Sequence, residues 1–435
     1  MHYNSDEFVQ KVCEQIRFKA AHKGIKQELE AHIDENTEQY IAEGLDKETA
    51  AIKAVQSMGD PIEIGGELNK IHKPQTEWGV IASIILLTIL GIGTMFFIGE
   101  LPFGNSSIFG LRQIVYSLFG LVVLMGMYLF DYTKLYKYNK VIFASGIVLT
   151  IITVLFGIEK NGSLFLRIGG ITCRTVYICN LMFMVAIIAE LIKYKDSGRV
   201  GFLKIGLFCA AALAALIFNP YFNLVFIMLI VYVIILTVAV IKKHFDDKQR
   251  WGYLSIMYGV IFISFLVFKS KIVSINDNSQ FIGYSANMIR KYLEQSQWIG
   301  KSEFLNEYGW RPLPENYWVD YFLTIIIANF GWLAGSLVIS LFVILFGTMI
   351  FRALNIKNNF GFYITIGTTI YLMINFIINI LISMGYVEFF DCKLPFVSFG
   401  GTDYIGNAFI VGLFLSVWRR NLIVASDMNS HLNHY

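Results

Sequence analysis

The sequence predicts an all-α polytopic membrane protein of about ten transmembrane helices, preceded by a small cytoplasmic helical domain. Three observations carry that expectation. Of 435 residues, 56% are hydrophobic and only 15% charged, with a mean hydropathy of +0.58, a balance foreign to soluble globular domains. Charge is divided unevenly: residues 1–76 hold nine Lys and Arg against fourteen Asp and Glu, a net of −5, which leaves +8 on the rest of a chain whose formal charge is +3. Beyond Thr76 the chain reads as a succession of long apolar segments joined by polar stretches.

The polar segment comes first and reads as four helices. Phe8, Val9, Val12 and Ile16 have approximate helical spacing, and a second helix fits Ile25 to Gly44 through Leu29, Ile33, Tyr40 and Ile41. Asp46 is placed to cap a third helix through Ala50, Ala54, Val55 and Met58, which halts at Gly59-Asp60-Pro61. A short fourth helix runs from Pro61 to His72. The acidity of this part argues against nucleic-acid binding, and it contains no apolar core of a cleavable signal peptide, so the first membrane helix is expected to direct insertion.

Membrane helices are expected near 78–98, 111–130, 141–157, 176–193, 202–219, 221–241, 252–269, 320–350, 360–384 and 404–424, followed by a cytoplasmic tail over 426–435. Basic residues of the short loops fix the orientation. Lys134, Lys137 and Lys140 fall on one side, as do Lys193, Lys195 and Arg199, then Lys242, Lys243, Lys248 and Arg250, then Arg352 and Lys357, and last Arg419 and Arg420. This is the side of the N-terminal domain, so both termini are expected in the cytoplasm. All seven histidines then lie inside the cell, and chemistry on the outer face is left to carboxylates, tyrosines and lysines.

The long external loop 270–319 holds Tyr284, Arg290, Lys291, Lys301, Glu303, Glu307, Arg311 and Glu315 and ends against Asp320. Its cations suit a phosphate or diphosphate headgroup, although ordinary surface charge reads the same way. Near the end of the chain, Leu394-Pro395-Phe396-Val397-Ser398-Phe399-Gly400-Gly401-Thr402 interrupts two apolar segments. Irregular backbone at membrane depth is tolerated only where protein buries it or where it lines a wet cavity, so this stretch is either a tight re-entry turn or a cavity wall.

Five scattered cysteines (Cys13, Cys173, Cys179, Cys209, Cys392) have neither disulfide nor zinc-site spacing. No phosphate-binding glycine loop, metal-ligand cluster or nucleophile elbow is present, and no cofactor is identified. A divalent cation remains compatible with a lipid diphosphate, which binds such ions itself.

Two resemblances add to this reading. The segment Glu28–Pro74, with Glu43-Gly44-Leu45 and Ala54-Val55-Gln56-Ser57-Met58-Gly59-Asp60-Pro61, resembles the compact prefix domain that precedes membrane permeases and sensors in Gram-positive bacteria. It implies regulation or partner docking. From Ile81 to Arg419 the chain resembles the SEDS family of the FtsW/RodA/SpoVE type. Gly110-Leu111-Arg112-Gln113 leading to Phe130-Asp131-Tyr132-Thr133-Lys134-Leu135, and Gly283-Tyr284 with Trp298-Ile299-Gly300-Lys301, are similar to two of its passages. Leu313-Pro314-Glu315-Asn316-Tyr317-Trp318-Val319-Asp320-Tyr321-Phe322 resembles its "LPE…TDF" motif. Asn375 and Lys393–Thr402 resemble its last two helices and their turn.

The SEDS resemblance implies a peptidoglycan glycosyltransferase that polymerises lipid II at the outer face of the cytoplasmic membrane beside a class B penicillin-binding protein, serving shape, division or sporulation. It places the essential carboxylate at Asp320, as general base towards an acceptor hydroxyl. It gives substrate-binding roles to Lys301, Glu315, Pro395, Ser398, Gly400, Gly401 and Arg112. A helix N-cap is the other role open to Asp320. The chain departs from the family where "F-Q-P-S-E" and a following Lys are replaced by Cys173-Arg174-Thr175-Val176-Tyr177 and Asn180. "Q-P-D-L-G" becomes Asn219-Pro220-Tyr221-Phe222-Asn223, and the paired glutamates after Asp320 become Ala328-Asn329. These departures keep a second reading open, a non-catalytic scaffold or lipid-binding sensor; a lipid flippase or transporter is a third.

Overall fold

The computed structural model describes residues 4–97, 106–160, 163–169, 171–218, 222–245, 249–276, 284–302, 319–387 and 392–421. They fall into two compact units, Met1–Thr76 with Ile356–Asn358 and Val417–Tyr435, and Glu77–Asn355 with Asn359–Ser416.

The first unit begins with α1 (Ser5–Glu14), a 3-10 turn (Lys19–Ala21), α2 (His22–Ala42), α3 (Lys47–Ser57) and α4 (Pro61–Ile71). Its starts and stops follow local chemistry. The Asp46 carboxylate accepts from the Thr49 N–H at 3.1 Å, Asp60 accepts from Ile62 N–H at 2.9 Å, and Pro61 occupies the first turn of α4. Gly44, at φ +98°, ends the α2 segment in the left-handed region. Phe8, Val9, Val12, Ile16, Ile25, Leu29, Ile33, Ala54 and Val55 form its buried core with Tyr40 and Met58 packed against it, whereas Ile41, read with them from spacing, is exposed.

The second unit contains α5 (Trp78–Phe97), α6 (Ser106–Leu129), α7 (Thr133–Lys137), α8 (Asn139–Phe156), α9 (Val176–Lys193), α10 (Gly198–Ile217), α11 (Phe222–Ile241), α12 (Arg250–Asn276), α13 (Tyr284–Glu294), α14 (Phe322–Phe330), α15 (Trp332–Leu354) and α16 (Asn359–Ser383). α17 (Gly401–Arg419) follows, mostly within the same unit. Eight of these helices have the length and apolar composition to cross a membrane, and α12 adds a shorter apolar helix over Arg250–Leu266. The protein is a multi-pass membrane protein. α9 lies deepest, packed against α8, α10 and α16 and buried along nearly its whole length.

Two features depart from the sequence expectation. A three-stranded antiparallel sheet, β1 (Ile158–Lys160), β2 (Ser163–Ile168) and β3 (Ile171–Cys173), sits between α8 and α9 in an otherwise helical fold. Pairing of Lys160 with Ser163 and of Ile168 with Ile171 leaves two-residue connections, Asn161-Gly162 and Gly169-Gly170, which are favoured hairpin dipeptides. The other departure corrects the single helix expected over 320–350. α14 and α15 are separate helices broken at Gly331, where φ is +92° and ψ 172°. Only glycine adopts that backbone readily.

Candidate functional site

The stretch Leu394–Thr402 builds a tight, buried turn. The Leu394 N–H donates to Ser398 Oγ at 3.0 Å, while the Leu394 carbonyl accepts from the N–H groups of Val397 (3.3 Å) and Ser398 (3.1 Å). Pro395 has no N–H to satisfy, and Phe396 takes the left-handed φ of +63° that reverses the chain. Gln113, fully buried on α6, donates to the Ser398 carbonyl and accepts from the Gly400 N–H, both at 3.5 Å. At Gly91 of α5 a Cβ would lie 2.5 Å from the Val397 carbonyl oxygen, so only glycine lets that helix approach. Aromatic rings close the remaining sides. Phe396 stands edge-on to Tyr404 at 5.5 Å, and Phe399 contacts Phe109 at 5.2 Å and Tyr116 at 5.9 Å. The Tyr404 hydroxyl shares a 2.8 Å hydrogen bond with Thr88.

Beside this turn lies a small cavity. Its walls are Tyr177 and Leu181 of α9, Tyr371 and Asn375 of α16, Lys393 just before the turn and Pro395 within it, and Asp403, Gly406, Asn407 and Ile410 of α17. The Lys393 ammonium pairs with Asp403 Oδ2, and both side chains are largely buried. A Cβ on Gly400 would fall 2.8 Å from Lys393 Nζ and 3.0 Å from Asp403 Oδ2, so the first glycine of the Gly400-Gly401 pair leaves room for this ion pair. The end of β3 adjoins it. Burial pushes the Cys173 thiol pKa up against the opposing effect of a hydrogen bond with Thr402, and the Asp403 carboxylate adds to the rise.

Asp320 is half-buried at the entry to α14, and the N-cap position of that helix belongs to Tyr321. One residue of α16 ties Asp320 to the turn: Asn379 Nδ2 donates to the Asp320 carbonyl at 3.0 Å and to the Cys392 carbonyl at 2.6 Å. Cys392 Sγ in turn donates to Asn375, a cavity residue, at 3.2 Å to its carbonyl and 3.3 Å to its Oδ1. Asp320 itself is not part of the cavity wall. Buried Thr324 reinforces the arrangement by donating to the Ser383 carbonyl at 2.6 Å.

The other sequence candidates are distributed differently. Pro395 lines the cavity, Ser398 closes the turn, and Gly400 faces the ion pair. Gly401 admits Tyr116, whose ring would be 2.7 Å from a Cβ there. Arg112 is exposed on α6 with its guanidinium 6.0 Å from the Phe109 ring centre, outside the cavity wall. Lys301 is exposed next to Ser302 and is likewise outside it, while Glu315 lies outside the described residues. Sequence reasoning missed Asp403, Asn407, Tyr371 and Tyr177 as site residues. Tyr177 stands out in the sequence only as a departure from the family's pattern, and the signal of the other three is polarity in apolar helices, which by itself marks intramembrane positions for attention. Among the described residues no group of three or more His, Cys, Asp or Glu is arranged to hold a metal ion.

Comparison with known proteins places this geometry. Residues 76–422 match the FtsW/RodA/SpoVE family, described as cell cycle proteins. The chain is 23% identical over 384 residues to the "Probable peptidoglycan glycosyltransferase FtsW" of Nitrosomonas europaea, covering 83% of this chain and 97% of that one. It is 22% identical to stage V sporulation protein E of Bacillus subtilis over 78% of this chain and 96% of its relative. Among solved structures it superposes, with a TM-score of 0.65 at 14% identity, on a chain from work on the coordination of polymerisation and crosslinking by a peptidoglycan synthase complex, covering 80% of this chain and 98% of that one. The fold, the turn and the extent of the match lead to one conclusion: this chain belongs to the FtsW/RodA/SpoVE family of cell cycle proteins.

Proposed function

We propose that the protein is a peptidoglycan glycosyltransferase that polymerises lipid II at the outer face of the cytoplasmic membrane. The observation that carries this reading is the Asn379 bridge, which holds the backbone of Asp320 and that of Cys392 on one amide at the entry to the family's turn. The names of the curated relatives support it. In this mechanism the Asp320 carboxylate takes the proton of the acceptor sugar hydroxyl as its oxygen bonds to the donor's anomeric carbon. The bond to the lipid diphosphate breaks, and the diphosphate leaves with the electron pair. Cationic side chains of the external loop, Lys301 among them, stabilise that leaving group, and a divalent cation would arrive with the diphosphate itself. Both termini lie in the cytoplasm on this reading, following the basic residues of the short loops. A class B penicillin-binding protein is the expected partner, by analogy with the synthase complex to which the fold is similar.

The test is polymerisation of labelled lipid II by the purified full chain in liposomes, alone and with a class B partner. Asp320→Ala should lower the rate by about 100-fold or more while leaving the unfolding midpoint unchanged, the usual loss for a general base. Full activity of that variant would remove Asp320 from the chemistry. The scaffold reading rests on Tyr177 and Asn180, which stand where the resemblance expects a Glu and a Lys. Lipid II binding by the wild type without polymerisation under any partner condition would establish it instead.

A further inference from the structure

The cavity beside the turn has an unusual charge balance. Its lysine is neutralised by its aspartate, since Lys393 Nζ is held on Asp403 Oδ2. The second carboxylate oxygen, Asp403 Oδ1, is buried and receives no hydrogen bond among the described residues. A buried acceptor left in that state is destabilising, and a donor brought by a ligand would relieve it. One turn further along α17, Asn407 also lines the cavity and makes no hydrogen bond among the described residues, so its amide offers both donors and an acceptor. Positions i and i+4 share one helix face. Across the space stand the rings of Tyr177 and Tyr371. Among the described residues of the wall the one cation, Lys393, is already neutralised, the Arg174 guanidinium is engaged with Tyr177, and an anion would face an unsatisfied carboxylate oxygen.

We propose that this cavity, with room for about one or two water-sized groups, receives a hydroxyl or acetamido group from the carbohydrate part of a lipid-linked substrate, not its diphosphate, with Asp403 and Asn407 as the residues that select it. Asp403 Oδ1 accepts from one such group and Asn407 pairs with a neighbouring one. Lys393 acts as a positioning residue that fixes the Asp403 carboxylate. The charge-bearing wall is thus built from Lys393 and Asp403 on either side of the turn, while Tyr177 occupies the α9 wall. This rests on the glycosyltransferase reading for the identity of the lipid, but it is tested by binding without turnover.

The experiment uses the full chain in nanodiscs and two probes, lipid II and undecaprenyl diphosphate lacking sugar. In the double variant K393M/D403A, apolar side chains no larger than the originals replace the buried ion pair, a change that folded proteins often tolerate. It should weaken lipid II binding about tenfold, the loss of one charge-assisted hydrogen bond, and leave undecaprenyl diphosphate binding unchanged. Asn407→Leu, which keeps the ion pair, should show the same selective loss. Equal weakening for both probes, or none for either, overturns the proposal, as does a wild type that binds the two probes equally well. A wild type that prefers lipid II but does not polymerise it overturns only the glycosyltransferase reading.

Discussion

Two helix breaks of the membrane unit, at Leu394–Gly400 and at Gly331, are held by different means. At Leu394–Gly400 the freed backbone groups are met largely by side chains: Ser398 Oγ takes the Leu394 N–H, Gln113 reaches Ser398 and Gly400, and Asn379 takes the Cys392 carbonyl. At Gly331 they are met by another stretch of backbone. The Trp332 and Leu333 N–H groups donate to the carbonyls of Gln297 (3.0 Å) and Trp298 (3.1 Å). Gly300 and Ser302 donate back to Phe330 (3.3 Å) and Ala328 (2.7 Å). A Cβ at Gly331 would lie 2.4 Å from the Trp298 carbonyl oxygen. Both devices answer the same demand, that backbone groups away from water find partners. The difference teaches that one break is written in side-chain identity and the other almost wholly in backbone shape.

That contrast can be broken by substitution. The largest effect is expected at Gly331→Ala, which meets both the Trp298 carbonyl and a φ of +92°; about 3 kcal/mol of stability should be lost, read as a lowered unfolding midpoint in detergent. Asn379→Leu strips a donor from two carbonyls and should cost about 2 kcal/mol. It should also slow lipid II polymerisation more than its loss of stability explains, because the Asp320 carbonyl is released. Ser398→Ala removes one acceptor from one N–H and should cost about 1 kcal/mol, with polymerisation nearly intact. If Ser398→Ala proves costlier than Gly331→Ala, the side-chain break is the more demanding of the two and the comparison reverses.

The same distinction explains what could be read beforehand. Ten apolar segments, the acidic first unit and its caps at Asp46 and Asp60 are properties of residue type and spacing, and each was legible. The Leu394–Thr402 turn was legible for the same reason, since Pro395, Ser398 and Gly400 are the groups that build it. The break at Gly331 was not, because a single glycine in an apolar run carries no signal that residues 297–302 will pair with it. Nor was the pair Lys393–Asp403, whose members are ten residues apart across irregular backbone and meet only once the turn has folded. The strands of residues 158–173 were overlooked because each is only three to six residues long, although Asn161-Gly162 and Gly169-Gly170 announced the turns.

The Asn379 amide has a mechanical consequence. Its two N–H groups measure the gap between the chain entering α14 and the chain entering the turn, so the end of α16 acts as a common ruler for both. Any tilt of that helix end carries Asp320 and Cys392 the same way. Opening this part of the fold must then come from elements other than these two, or must first break both bonds of one side chain.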